Sequence, residues 1–172
     1  TTGRYCRIII LEQHFQYDAV AFGGWSIDLH PADGVFSTMS NACNQWHSKG
    51  VYAIPYRCYL TPDIDNLFIG GRLISVSHVA NGSTRVMATA AAGGQAIGLA
   101  VTACIRNNML PKDFIEADKI TILQKMLLRN GCYLPQINLS LADNKLLHAR
   151  VEASSVMKLS TIPFNGDWLS LE

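Results

Sequence analysis

The pattern of apolar and polar positions is most regular between residues 64 and 108. Residues 67–69 (LFI) are apolar at every position, which is expected of a strand covered on both faces in a parallel sheet. Residues 70–71 (GG) end that strand, and residues 81–84 (NGST) form a polar loop that offers N-cap residues. The almost uncharged run at residues 86–105 then predicts a long helix.

A strand, a glycine turn and a helix N-terminus in this order allow two interpretations. The free N–H groups and the positive end of the helix dipole favour a ligand with negative or oxygen-rich groups. The alternative is a plain α/β packing unit that binds nothing. The residue pattern alone leaves both interpretations open.

The first sixty residues have the character of a small β-rich region. Residues 7–11 (RIIIL) form a β-branched run that predicts a strand. Residues 19–29 hold two short apolar pieces broken by glycines, and a turn signal (HPADG) follows them. Residues 51–60 contain strand-forming residues, but Pro55 interrupts them and favours an edge strand or a bend.

Two further elements are indicated beyond the long helix. Pro111 opens a second helix with helical apolar spacing, and Gly131 is a natural stop for it. Partial alternation of apolar and polar residues at 149–159 indicates the entry to a separate β module.

The long helix is also compatible in length with a membrane span. Residues 86–105 cover about 30 Å at about 1.5 Å per residue. However, Thr89, Gln95 and Thr102 interrupt the run, and Ala and Gly dominate where a membrane helix carries Leu and Ile. Because a soluble helix packed tightly on a sheet needs the same small residues, we predict no membrane span.

Composition narrows the class of protein. The chain has 172 residues, 49% of them hydrophobic, and a formal net charge of +1, so a globular fold with a substantial core is expected. No basic stripe is present, which argues against nucleic acid as the main partner. The sequence starts at Thr1 without an initiator methionine, which suggests a missing upstream segment.

The five cysteines are odd in number, widely scattered and without a CxxC pair. This spacing predicts neither a metal site nor a disulfide framework. Most of them are expected to be small core residues, and Cys104, inside the long helix, is the clearest case.

Several motifs together carry a resemblance to a known family. The quoted segments are IPYR at residues 54–57, NL at 66–67 followed by GR at 71–72, SH at 77–78, GSTRVM at 82–87, the glycines of residues 94–98, and SIDLH at 26–30. Over residues 4 to 132 the chain resembles the C-terminal FAD-binding region of FAD-dependent oxidoreductases with a glutathione-reductase-like flavin domain. It is similar in particular to a bacterial family whose members are sometimes described as xanthan lyase, although nothing in the sequence supports a lyase.

The resemblance implies an α/β fold, the C-terminal portion of an FAD/NAD(P)-binding Rossmann-like domain plus part of a β-rich substrate domain. Residues 1–60 would belong to the substrate domain and residues 61–132 to the FAD-binding domain. Residues 133–172 would be a linker and the start of a β-rich extension.

The resemblance also implies a set of cofactor-binding residues. The backbone N–H groups of residues 85–87 would stabilise negative charge near flavin N1 and O2. Arg72 would add charge near the ribityl or phosphate part, with a salt bridge on the rim as its alternative role. The implied FAD-binding residues are Gly71, Arg72, His78, Gly82, Ser83, Arg85, Val86 and Met87.

One feature of such flavin domains is missing. They carry GxGxxG after their first strand, where it holds the pyrophosphate, and Gly93 and Gly94 lie mid-helix with the wrong spacing. The chain is therefore expected to be a C-terminal fragment that is inactive alone and binds FAD poorly or not at all.

The catalytic candidates are Asp28 and His30 of the family-like segment, with His30 as acid or base near neutral pH. A structural histidine in a turn is the alternative for His30, and His78 would either contact flavin or substrate or merely fix its loop. Trp46 has the side chain to stack on a sugar, although an aromatic residue in a loop more often serves local packing. Family-like Arg57 would either support the fold or line the site.

The predicted function is hydride transfer between FAD and a small organic substrate such as a carbohydrate. The alternative is a non-catalytic α/β module that binds an anion or a glycan. The family resemblance suggests a periplasmic or secreted location, with the cytoplasm as the other option. The sequence does not indicate the oligomeric state.

Overall fold

The computed structural model describes residues 15–38, 41–137, 150, 152 and 155. The chain divides into two compact units, Thr1–Ile137 and Asn138–Glu172. In the second unit, Arg150 Nε and Glu152 Oε1 form an ion pair at 2.8 Å.

Two predicted elements fall outside the described residues: the strand at residues 7–11 and most of the β module at 149–159. The assignment of residues 1–60 to a substrate domain and of 61–132 to an FAD-binding domain stays a prediction. The same holds for a linker that begins at residue 133.

Within the described residues, four short strands form two separate antiparallel sheets. They are β1 (Ala19–Gly23), β2 (Ile27–Leu29), β3 (Asn44–Trp46) and β4 (Tyr52–Pro55). β1 pairs with β4 through a register shift between Ala19 and Ala21, and β2 pairs with β3. β4 is buried along its whole length and ends at Pro55, where a 3₁₀ turn begins. The bend predicted at this proline is confirmed.

Three α-helices follow: α1 (His78–Thr84), α2 (Met87–Asn107) and α3 (Ala117–Arg129). Short 3₁₀ segments lie at Gly34–Phe36, Tyr56–Tyr59, Gly71–Leu73 and Pro111–Ile115. α2 ends at Asn107, and its C-cap residue Asn108 adopts the left-handed conformation with a φ of 52° and donates its N–H to Cys104 O. Asparagine is one of the few residues besides glycine that tolerate this conformation.

The core forms where α2 and α3 pack on β1. Buried Gln124 of α3 donates through Nε2 to Tyr17 O at 2.8 Å and to Ala19 O at 3.0 Å, which ties the helix to the start of the strand. On α2, Gly93 lets the ring of Tyr59 lie against the helix, because a Cβ at this position would lie 2.5 Å from Tyr59 Oη. The largest fully buried side chains are Tyr52, Tyr56, Tyr59, Phe114, Ile54, Ile120, Leu123 and Leu127.

The strand predicted at residues 67–69 is wrong. Phe68 makes a single antiparallel bridge to Leu60, and Leu67 is exposed, so a short apolar run was mistaken for a covered strand. The described part of the chain contains only antiparallel pairing, whereas the pattern suggested a parallel sheet. The fold of the described residues is nevertheless mixed α/β, with three helices and short sheets.

The predicted polar loop at residues 81–84 is also wrong, because these residues belong to α1. Ser77 supplies the missing start signal, since its side chain accepts a hydrogen bond from Ala80 N at 3.2 Å. The helix predicted from Pro111 onward divides at Glu116, which is extended between a 3₁₀ turn and α3.

The predicted long helix is confirmed as α2. Apolar residues lie on its exposed side as well as on its buried side. Met87 and Ile105 are largely exposed, and Gly94 and Gly98 face open space. By length and composition α2 could cross a membrane, but the core helix of a soluble protein meets the same criteria. In α2, 33% of the most apolar window is buried. The absence of a membrane span therefore stays a prediction.

The cysteine prediction needs one correction. Cys58 is buried and disulfide-bonded, whereas Cys43, Cys104 and Cys132 are free. A disulfide depends on closeness in space, which scattered positions along a sequence do not reveal. Cys104 is buried in α2, as predicted.

Candidate functional site

The candidate site is built around Asp28 at the centre of β2. Its carboxylate is half-buried and is contacted from three directions. Arg85 donates from Nη2 to Asp28 Oδ2 at 2.7 Å, and the Cys43 thiol donates to Oδ1. His30 places Nε2 at 3.8 Å from Oδ2. Both predicted catalytic residues and one predicted cofactor-binding residue, Arg85, therefore meet in space.

Arg85 reaches Asp28 because α1 packs closely on β2. The contact point is Gly82, where a Cβ would lie 2.9 Å from the backbone oxygen of Asp28 and 3.1 Å from Leu29 Cδ2. Only glycine allows this approach without displacing the strand. Arg85 then follows at the end of α1, directly before the start of α2.

Ser83 lies behind the site. Its hydroxyl donates to Trp25 O at 2.5 Å and lies 2.5 Å from Tyr52 Oη, and the residue is fully buried. Ser83 and Gly82 thus hold α1 against the strands and do not reach the protein surface. Their direct contact with FAD remains untested.

His30 has a defined ring orientation. Its Nδ1 lies 3.1 Å from Ala42 O, a backbone acceptor, so the hydrogen on this nitrogen is assigned to that bond. Nε2 is then the nitrogen with a free lone pair, and it is the one that faces Asp28. The ring is mostly exposed and accessible to a small molecule.

The protonation of the pair Asp28 and Cys43 is fixed by their contact. The hydrogen bond from the Cys43 thiol lowers the pKa of Asp28, and His30 and Arg85 add smaller effects in the same direction. The same hydrogen bond raises the pKa of Cys43. At neutral pH the site therefore holds a carboxylate and a thiol.

The N-terminus of α2 is open. Its N-cap residue, Val86, has no side chain able to cap, and the first intrahelical bond is donated by Ala90 N to Val86 O at 3.0 Å. The N–H groups of the first turn consequently have no acceptor within the helix. Met87 and Ala88 in that turn are exposed, whereas Thr89 is buried.

The remaining predicted cofactor residues lie elsewhere. Gly70 sits against Ile97 in the middle of α2, since its Cβ would lie 3.0 Å from Ile97 Cδ1. Gly71 and exposed Arg72 follow it, well beyond the first turn of the helix. His78 is exposed as the first residue of α1.

Sequence reasoning missed Cys43. The only signal available was its position directly before a strand, and the pairing of that strand with β2 was not predicted. Nearby, Ser26 Oγ and His47 Nδ1 lie 3.1 Å apart. Trp25, just before β2, and Trp46, at the end of β3, are 55% and 49% exposed.

Arg57 supports the fold, and its alternative role in lining the functional site stays a prediction. Its Nη1 binds the buried carboxylate of Asp18, and its Nη2 donates to Gln16 Oε1 at 2.6 Å. It also lines a cavity of about 210 Å³, apart from the residues around Asp28, whose lining includes the ion pair of Lys112 Nζ with Asp65 Oδ1 at 2.7 Å.

The fold and the site are those of a mixed α/β protein with an open helix N-terminus beside a charged cluster. A family model described as FAD dependent oxidoreductase matches residues 7–127. The chain therefore belongs to the FAD dependent oxidoreductase family, and its cofactor is FAD. No curated protein matches it. No solved structure matches it either.

Two features of this chain fit FAD. The uncapped first turn of α2 presents N–H donors, which suit the oxygen-rich edge of a flavin. Gly71 has a φ of 61° and no atom within 4 Å of the place where a Cβ would lie, so its backbone is open to close approach by a ligand.

Proposed function

We propose that this chain is the C-terminal part of an enzyme that transfers a hydride between a small organic substrate, such as a carbohydrate, and FAD. The observation that carries the proposal is the Asp28–Arg85 ion pair at 2.7 Å. It joins the strand with the catalytic candidates to the junction that precedes the first turn of α2. An acid–base group and a flavin-binding helix terminus would then be neighbours.

The proposed roles follow from the contacts. FAD, once bound, supplies hydride acceptance and donation. The N–H groups at the start of α2 would bind and orient its pyrimidine edge. His30 Nε2 takes the proton of a substrate hydroxyl, and Asp28, 3.8 Å away, stabilises the imidazolium that results. Arg85 holds the Asp28 carboxylate in position.

Gly71 and Arg72 would serve another part of the same cofactor. FAD is an extended dinucleotide, so residues at the middle of α2 and at its first turn are able to contact different parts of it. The separation of Gly70 from the first turn, seen in its contact with Ile97, supports this division. Arg72 is exposed and free to face the ribityl or phosphate part.

The exposed side of α2 supports the fragment interpretation. Gly94 and Gly98 face open space, and Val101 and Ile105 are exposed beside them, which is costly for an isolated domain. An N-terminal half of a glutathione-reductase-like flavin domain, with its GxGxxG, would cover this side. The disulfide at Cys58 agrees with an oxidising compartment such as the bacterial periplasm.

The test is a pair of substitutions in the full-length, FAD-loaded protein. His30→Ala is expected to lower kcat by about 10²–10⁴-fold, the usual contribution of a general acid or base. His47→Ala is the matched control, because His47 is also exposed and its ring lies against Ser26 Oγ at 3.1 Å, away from Asp28. Flavin content, read from absorbance, should be unchanged in both. An unchanged kcat in His30→Ala would contradict the role of His30.

The alternative function is glycan binding without catalysis. Trp25, just before β2, and Trp46, at the end of β3, each expose about half of the side chain, which is suitable for stacking on a sugar ring. Titration with oligosaccharides, monitored by tryptophan fluorescence, distinguishes the glycan-binding module from the flavoenzyme. Saturable quenching in a protein without flavin-dependent turnover would favour the binding module.

A further inference from the structure

Three different metal-ligating side chains converge at the candidate site. One ligand atom each from Asp28, His30 and Cys43 lies within 4.8 Å of the other two. A carboxylate, an imidazole and a thiol at this spacing are the donor types that zinc takes in proteins.

The strand geometry explains why the three groups meet. Asp28 and His30 are two residues apart in extended chain, so they lie on the same face. In the antiparallel register, Leu29 is paired with Asn44 as the last pair, and continuing the same register by one residue beyond the strands would set His30 opposite Cys43. Cys43 therefore projects next to both ligands from the facing strand.

The histidine is already oriented as a ligand. Metal-binding histidines usually donate the hydrogen of their second nitrogen to a carbonyl or carboxylate, which fixes the ring. Here Nδ1 is held by Ala42 O at 3.1 Å, and Nε2 faces the cluster.

The charges also permit a cation. The Cys43 thiol donates its hydrogen to Asp28 Oδ1. A metal ion would replace that hydrogen between the sulfur and the carboxylate. Loss of that proton leaves a thiolate and a carboxylate against the single positive charge of Arg85, a net charge of about −1 by ordinary side-chain ionisation. Arg85 then serves as a partner that orients the carboxylate from Oδ2.

The geometry points to a zinc-type site with Asp28, His30 and Cys43 as protein ligands and an open fourth position. Binding replaces the thiol proton by a sulfur–metal bond, and the proton is released to solvent. The site goes beyond the flavin chemistry and does not depend on it. It has one consequence for the proposed reaction: a metal on His30 Nε2 removes the lone pair needed for proton transfer, so metal inhibits turnover.

The test is a Co²⁺ titration of the full-length protein after chelator treatment, with the metal-free sample as the spectral blank. A thiolate-to-cobalt absorption band that saturates at one equivalent is expected. Cys43→Ser should abolish the band, and His30→Ala should weaken Co²⁺ affinity by more than about 100-fold, beyond the loss typical of an outer partner. Cys132→Ser is the control, since Cys132 is a free cysteine near the end of α3.

Zinc protection of the wild-type protein gives a second readout that needs no variant. Zn²⁺ should slow alkylation of Cys43, measured by peptide mass spectrometry, relative to Cys132. The metal-site proposal would be contradicted by the absence of a thiolate-to-cobalt band or by a band that survives in Cys43→Ser. It would also be contradicted if Zn²⁺ did not change the rate at which Cys43 is alkylated. The flavin absorbance of the same samples reports on FAD separately, so failure of the metal site is distinguishable from failure of the flavoenzyme proposal.

Discussion

The buried carboxylate of Asp18 holds the first part of the fold together through its hydrogen bonds with Arg57. Asp18 is completely buried, and its two carboxylate oxygens accept hydrogen bonds from the Arg57 side chain and from Arg57 N. The backbone oxygen of Asp18 also accepts from Tyr56 N at 2.7 Å. A buried carboxylate with these partners becomes costly as soon as its cation is removed.

Arg57→Met is therefore expected to lower the free energy of unfolding by about 3–5 kcal/mol, the usual loss when one partner of a buried ion pair is removed. Chemical denaturation of the chain measures the loss. Arg72→Met is the control, because Arg72 is exposed. A loss below about 1 kcal/mol would mean that the pair behaves like an exposed salt bridge.

At the scale of elements, the two adjacent glycines of α2 have opposite surroundings. A Cβ at Gly93 would lie 2.5 Å from Tyr59 Oη, whereas a Cβ at Gly94 would meet nothing within 4 Å. Gly93 permits the packing of an aromatic core residue against the helix. Gly94 has no such role within the described residues of this unit.

Gly93→Ala should destabilise the chain by about 1–3 kcal/mol through overpacking, since the buried ring of Tyr59 has little room to move. Gly94→Ala should instead stabilise it by up to about 1 kcal/mol, because alanine favours the helix over glycine. Thermal unfolding of both variants measures the difference. Equal effects at the two positions would contradict the packing of Tyr59 on α2.

The elements also show how much of the secondary structure could be predicted from the sequence. The long helix, the bend at Pro55 and a helix after Pro111 were predictable, because apolar spacing and proline are local signals. The pattern did not separate α1 from a loop, since a short helix with Asn, Gly, Ser and Thr is held in place by its packing on β2. The short apolar run before Gly70 lacked any signal to distinguish a strand from an extended loop.

The candidate site was predictable only in part. Asp28, His30 and Arg85 were proposed through the family resemblance, and the structure brings them together. Cys43 was missed because its contact depends on pairing between β2 and β3, which local sequence does not specify. Gly82 was assigned to the cofactor, whereas its observed contact is with the strand.

At the scale of the whole molecule, the buried tyrosines link stability to alkaline pH. Burial raises the pKa of Tyr52, and raises those of Tyr56 and Tyr59 far above the usual range. Above the ordinary tyrosine pKa of about 10, the unfolded chain loses protons that the folded chain keeps. The unfolding free energy should then fall by about 1.4 kcal/mol per pH unit for each such tyrosine.

Denaturation curves at increasing pH above neutrality measure this slope. Tyr56→Phe should reduce the fall of the unfolding free energy per pH unit by the contribution of one tyrosine. Tyr17→Phe is the control, since Tyr17 is exposed. Stability that stays constant as the pH rises past the ordinary tyrosine pKa would contradict the burial of these phenols.

The central claim, an FAD site completed by this chain, is tested most directly by absorption spectra of two samples side by side. One is the full-length protein, and the other is the chain of residues 1–172 alone. Flavin bands in the first and none in the second are predicted, and Gly71→Val in the full-length protein should weaken flavin retention because φ at Gly71 is 61°. A colourless full-length protein that takes up no added FAD would contradict the account.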